Sequence, residues 1–169
     1  AEGVETVRAA ADAQARLLVH GAGLGWAGPV QDTPPATTDE MLAVNLAAEA
    51  AKSSVALIID TDPQATASRW GQWRGGRDPE VVDCGAPSLL AGKLAKAAEL
   101  GADLAVIDTP PHADAMARQA AHLADLLLIP CRPRAFDLAA IEATAELVRS
   151  SRKPASVVFN AAPPRAPHI

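Results

Sequence analysis

The stretch Leu104–Pro111, reading LAVIDTPP, constrains this chain more than any other. Four apolar residues run straight into an aspartate and a proline-stiffened turn. A continuous apolar run of this length predicts a strand buried on both faces, the kind found inside a parallel sheet. Asp108 then stands at the strand's carboxyl end, where open α/β sheets bind their ligands. Val55–Gln64, VALIIDTDPQ, repeats the form. Two such strands side by side aim Asp60, Asp62 and Asp108 into one crevice, and clustered carboxylates suit hydrated magnesium. A local alternative stays open: Asp60 caps the turn and Asp62 initiates it before Pro63.

Further strand-like runs lie near residues 80, 125 and 155, with helical stretches between them. That alternation predicts an α/β fold, a mostly parallel sheet with helices on both faces. The expected helices are Glu40–Lys52, with Met41, Val44, Ala48 and Ala51 inward, and Ala65–Trp73, with Trp70 and Trp73 packed. They continue with Ser88–Leu100, with Leu90, Leu94, Ala97 and Ala98 inward and Gly101 ending it, then Ala113–Leu123 and Asp137–Arg152. Before them, Glu2 to about Val19 carries a weak helical stripe. Leu17–Val19 is instead open to a short strand leading into Gly21, Gly23 and Gly25.

Aromatics are only 3% of the 169 residues against 49% apolar, so the core must be built from alanine, leucine, valine and isoleucine. A net charge of −5 gives the whole chain no electrostatic footprint for nucleic acid, leaving only local basic patches. Cys84 and Cys131 have no cysteine or histidine neighbour at metal-ligand spacing and read as two buried thiols. No apolar run approaches the roughly 20 residues of a membrane span, and the amino terminus lacks the blocks of a signal peptide. The expectation is a soluble, cytoplasmic protein.

Four segments follow one another in a telling order: DTDPQATASRW, IDTPPHAD, LLLIPCRPRAFDL and VVFNAAPPR. Together they resemble the ParA/MinD family of P-loop ATPases, most closely the ParA partition proteins, over roughly Met41 to Arg165. The resemblance implies an ATP- and Mg²⁺-dependent dimer that switches in plasmid or chromosome segregation. It implies that Asp60 and Asp108 serve the metal, Asp60 through water, and that Asp62 lies near the attacking water. It also implies that Asn160, with Pro163 beside it, binds the nucleotide at the adenine edge. Non-specific DNA and a ParB-like protein are the implied partners, with Arg132, Arg134, Arg149, Arg152 and Lys153 as a phosphate-contacting patch. The basic end of the last helix equally suits the helix dipole.

The chain departs from that pattern where the family carries its lysine-bearing phosphate loop. HGAGLGWAGP and ATTDEMLAVNLAAEA stand there, and no lysine precedes Lys52. Thr37 to Glu40 fits a helix capping box that needs no nucleotide. Residues 1–36 are therefore expected to form a divergent or irregular segment and residues 37–169 the nucleotide-binding domain, with a further strand and helix implied beyond Ile169. Phosphoryl transfer rests on charge stabilisation, so the missing lysine predicts impaired hydrolysis. The alternative is a module of the same descent that binds nucleotide without turnover, or binds only protein.

Overall fold

A computed structural model describes residues 15–20, 38–110, 114–131 and 144–159. The strands are β1 (Ala15–His20), β2 (Ala56–Asp60), β3 (Glu80–Asp83), β4 (Leu104–Thr109), β5 (Leu126–Cys131) and β6 (Ala155–Phe159). The helices between them are α1 (Thr38–Ala50), α2 (Thr66–Trp73), α3 (Pro87–Glu99), α4 (Ala115–Leu123) and α5 (144–151). The sheet runs β3-β2-β4-β1-β5-β6, and every pair is parallel.

The order of the strands explains which face each helix covers. Steps from β1 to β2 to β3 move toward one edge, and steps from β3 through β4 and β5 to β6 move back toward the other. A right-handed crossover puts helices on opposite faces when the direction of travel reverses. Accordingly α1 and α2 pack on one face, where Ala43, Ala47 and Ala67 meet Ala56, Ile58, Leu104 and Val106. On the other face α3, α4 and α5 bring Leu90, Leu94, Met116, Ala120 and Leu147 onto Leu57, Ile59, Ala105 and Ile107. The apolar runs of β2 and β4 are buried along their whole length because both faces are covered.

Several local expectations hold, and others change. Helix α3 ends as its glycine predicts: Gly101 takes a φ of 88°, its N–H donates to Ala98 O at 3.0 Å, and Ala102 N–H donates to Ala97 O at 3.0 Å. Those are the two bonds of a Schellman ending. Ala98, expected inward on that helix, is exposed. The helical stripe expected up to Val19 gives way at Ala15 to β1, the strand alternative, because the backbone there is paired on both sides by β4 and β5. Helix α1 buries Ala43 and Ala47 completely, while Val44 and Ala51 of the expected row pack half-buried against that cluster. From Leu42 to Ala50 only Asn45 and Glu49 are exposed, so side-chain pattern fixes its rotation weakly and close packing of the smallest residues decides it. Trp73, expected to pack, is 82% exposed, while Trp70 is half-buried against the core on the α1–α2 face.

Cys84 and Cys131 are buried and in no disulfide. Among the described residues, no helix is long and apolar enough to cross a membrane. At the amino-terminal rim Arg16 fixes the start of β1: its side chain donates to Asp125 at 2.8 and 3.0 Å, its N–H donates to the same carboxylate at 2.8 Å, and Asp125 N–H returns a bond to Arg16 O at 2.7 Å.

Candidate functional site

Sheet topology places the site before any side chain is considered. The chain leaves β1 for one face of the sheet and leaves β4 for the other, and these two strands are neighbours. A crevice opens between such divergent connections, at the carboxyl ends of the strands. Here those ends are His20 and Thr109, register partners in adjacent strands. The glycine-containing segment after His20 leaves from this point, and Gly21, Gly23, Gly25 and Thr37 lie outside the described residues.

Asp108 sits at this point with Val19 of β1 as one register partner and Asp60 of β2 as the other. Strand alternation puts Asp60 and Asp108 on the face of Ile58 and Val106, the face covered by α1 and α2. Asp60 is completely buried and Asp108 is 4% exposed. The sequence expectation that they meet at one rim is therefore realised in the fold.

What holds Asp60 is backbone. Its Oδ1 accepts from Asp62 N–H at 3.1 Å, and its Oδ2 accepts from Ser68 N–H at 2.8 Å. Ser68 lies in the first turn of α2, whose own preceding residue, Ala65, supplies no side-chain cap. A carboxylate reaching in from β2 thus satisfies an otherwise orphan helix donor and suits the positive end of the helix dipole. Asp62 is half-buried at the turn beyond: Oδ1 accepts from Gln64 N–H at 2.8 Å, and its carbonyl accepts from Ala65 N–H at 2.9 Å. Both local roles that the sequence left open, capping by Asp60 and turn initiation by Asp62, are thus occupied. Thr61 completes the rim, donating to Asp108 O from N–H at 3.0 Å and from Oγ1 at 2.7 Å.

Among the described residues no group of three or more His, Cys, Asp or Glu side chains is arranged to hold a metal ion. The expected trio of acids is accordingly a pair in register with a third acid engaged in its own turn. The pair fits a hydrated divalent ion better than a naked one: Asp60 already accepts two amides, so water is the natural bridge to its remaining lone pairs. Ser68 Oγ is buried nearby without a hydrogen-bond partner among the described residues, one more polar atom that a bound group can satisfy. Of the other named residues, Arg132, Arg134, Asn160 and Pro163 lie outside the described residues.

Sequence reading missed Thr61 and Ser68. Thr61 sits between the two noted aspartates and carried the only available signal, a hydroxyl at a strand end. Ser68 acts through its amide, to which its side-chain identity gives no clue.

No family model matches the chain. Maintenance of carboxysome distribution protein A from Halothiobacillus neapolitanus is 32% identical over 120 residues, covering 64% of this chain and 54% of that protein. Its namesake from Gloeobacter kilaueensis is 38% identical over 103 residues, 59% of this chain and 45% of that one. The chain therefore spans about half the length of the curated relatives it matches. Among solved structures, a plasmid partition protein from Borrelia burgdorferi superposes with a TM-score of 0.67 at 15% identity, over 91% of this chain and 82% of its own. An ATP complex of a Cyanothece McdA variant gives 0.60 at 17%, over 87% and 70%. These neighbours share the described fold, and the carboxysome-distribution relatives add a sequence likeness that fold alone does not supply. The chain is thus similar in fold to ParA/MinD-type partition proteins and in sequence to the carboxysome-distribution proteins.

Proposed function

We propose that this chain is a ParA-like nucleotide switch that binds ATP with Mg²⁺ at the β1–β4 switch point and turns it over slowly, if at all. The observation that carries the reading is the register pairing of Asp60 with Asp108 on one buried face at that point. Asp60, through water, and Asp108 hold the metal; Asp62 orients the attacking water; Asn160 and Pro163 contact the base. Bound Mg-ATP supplies the transferable phosphoryl group and the charge that neutralises it. The chain has no lysine before Lys52 to share that task, which is why turnover is slow. Residues 37–169 form the nucleotide-binding domain and residues 1–36 a divergent segment feeding β1 into it. ATP closes a homodimer, and a cytoplasmic cargo system with non-specific DNA and a ParB-like protein is the setting. Relatives named for carboxysome distribution make a protein microcompartment as apt a cargo as a plasmid or chromosome.

One observation favours a second reading. Both oxygens of Asp60 are taken by backbone amides, which a purely structural aspartate also explains. In that reading the fold survives as a protein-binding module without nucleotide. Titration of Mg-ATP into the chain, followed by Trp fluorescence and by phosphate release, separates the two. Saturable binding that Asp108→Asn weakens, with little phosphate released, supports the switch. No binding at millimolar ATP selects the module, and turnover abolished by Asp62→Ala overturns the claim of slow hydrolysis.

A further inference from the structure

Ser68 is tied to Asp60 by its amide and carries a hydroxyl that the fold leaves over. Its N–H donates to Asp60 Oδ2 at 2.8 Å, and Asp60 is the completely buried acid that ends β2. Its Oγ is buried too, and among the described residues it has no hydrogen-bond partner. A serine in a helix often turns its hydroxyl onto the carbonyl four residues back. Here that carbonyl is Gln64 O, which accepts from the Arg69 guanidinium instead. A buried polar atom without a partner costs stability, so native structures keep few of them, and a water or an ion is a usual reason for one. The amide and the hydroxyl belong to the same short residue, so a single water can bridge Oγ and Asp60 Oδ2.

From this we infer that Ser68 is a positioning residue for the divalent ion: its Oγ is the second acceptor for the water through which Asp60 holds that ion. This role presupposes the proposed Mg-ATP site and adds a residue to it. Donor and acceptor chemistry select it. A water on a cation has given its lone pair to the metal and offers only its two hydrogens, so it needs two acceptors. Asp60 supplies one, on a lone pair that the amides of Asp62 and Ser68 leave open. The other acceptor must lie beside that carboxylate, where Ser68 Oγ is buried and unengaged among the described residues. A water held at both hydrogens is fixed in place, which is how partners behind a metal ligand raise metal affinity.

The test compares the affinity of the full chain for ATP in MgCl2 with its affinity in EDTA, followed by Trp fluorescence. The ratio of the two dissociation constants measures what the metal adds. Ser68→Ala keeps the amide bond to Asp60 and removes only the hydroxyl. It should shrink the ratio roughly tenfold, the common loss when a partner behind a metal ligand is removed, and leave the affinity in EDTA unchanged. Ser68→Thr, which puts a hydroxyl back, should recover most of the ratio. In urea unfolding without ligand, the midpoint of Ser68→Ala should equal or exceed that of the parent, because the unpartnered oxygen is gone. An unchanged ratio in Ser68→Ala, an equal loss in EDTA and MgCl2, no recovery in Ser68→Thr, or a lowered urea midpoint overturns this role and leaves the Mg-ATP site standing. A parent chain that binds no ATP in MgCl2 overturns both.

Discussion

Two aspartates at opposite rims of the sheet show how differently one side chain can be used. Asp60, at the carboxyl rim, is completely buried, and two backbone amides hold it. Asp125, at the amino-terminal rim, is 41% exposed in its side chain and meets the Arg16 fork. The first interaction exists only when β2 and α2 have docked, and it is shielded from water. The second links two side chains that water also solvates. Buried, amide-held charge should therefore dominate stability and resist salt, whereas the exposed pair should contribute little and respond to both salt and acid.

The largest effect expected is from Asp60→Ala, which strands two amide donors and the first turn of α2. It should cost about 3 kcal/mol in urea unfolding, near the upper range for hydrogen bonds to a charged group. A loss comparable to that of Asp125→Asn would erase the contrast between the rims. Gly71→Ala comes next. A Cβ there would lie 2.8 Å from Val81 Cγ2 and 3.0 Å from its Cβ, so α2 must shift from β3 and carry Ser68 away from Asp60. Overpacking of this kind costs about 1–3 kcal/mol, read from the same unfolding curves. If Gly71→Ala proves neutral, α2 is free to adjust and the Asp60 cradle is less rigid than its geometry implies.

Asp125→Asn should cost less than about 1 kcal/mol, because the pair is half in water. Its signature is a pH dependence. Hydrogen bonding from Arg16 is the largest influence on Asp125 and lowers its pKa below the ordinary 3.8. A lowered folded value stabilises the protein above the unfolded value, and that increment disappears as the pH falls from 3.8 through the folded value. Unfolding free energies measured across that acid range should fall less steeply in Asp125→Asn than in the parent, and identical slopes would count against the pair. The smallest effect expected is from salt. Raising ionic strength toward 1 M should remove most of the difference between parent and Asp125→Asn while leaving the Asp60→Ala penalty in place.

The contrast also marks what could be read in advance. The strands β2 and β4 were legible because four or five consecutive apolar residues have few other homes; β2 ends on Asp60, and β4 runs one residue past Asp108 to Thr109. The Schellman ending of α3 was legible because Gly101 takes a positive φ that other residues adopt at a cost. The strand β1 was ambiguous, since ARLLVH has neither the length nor the alternation to separate strand from helix. Trp73 misled for a related reason: spacing three residues from Trp70 places both on neighbouring faces of a helix, but only contact with the sheet decides which is covered.

By itself the sequence determined that strands and helices alternate, that two apolar strands end in acid, and that the usual phosphate-binding lysine is absent ahead of Lys52. These are local facts, set by side-chain chemistry and by the few conformations a peptide run permits. Only the tertiary structure decided that β1 lies between β4 and β5, that Asp60 and Asp108 are register neighbours, and that Ser68 reaches Asp60 through its amide. Those relations join residues far apart in the chain. They follow from strand order and crossover handedness, which no single segment encodes.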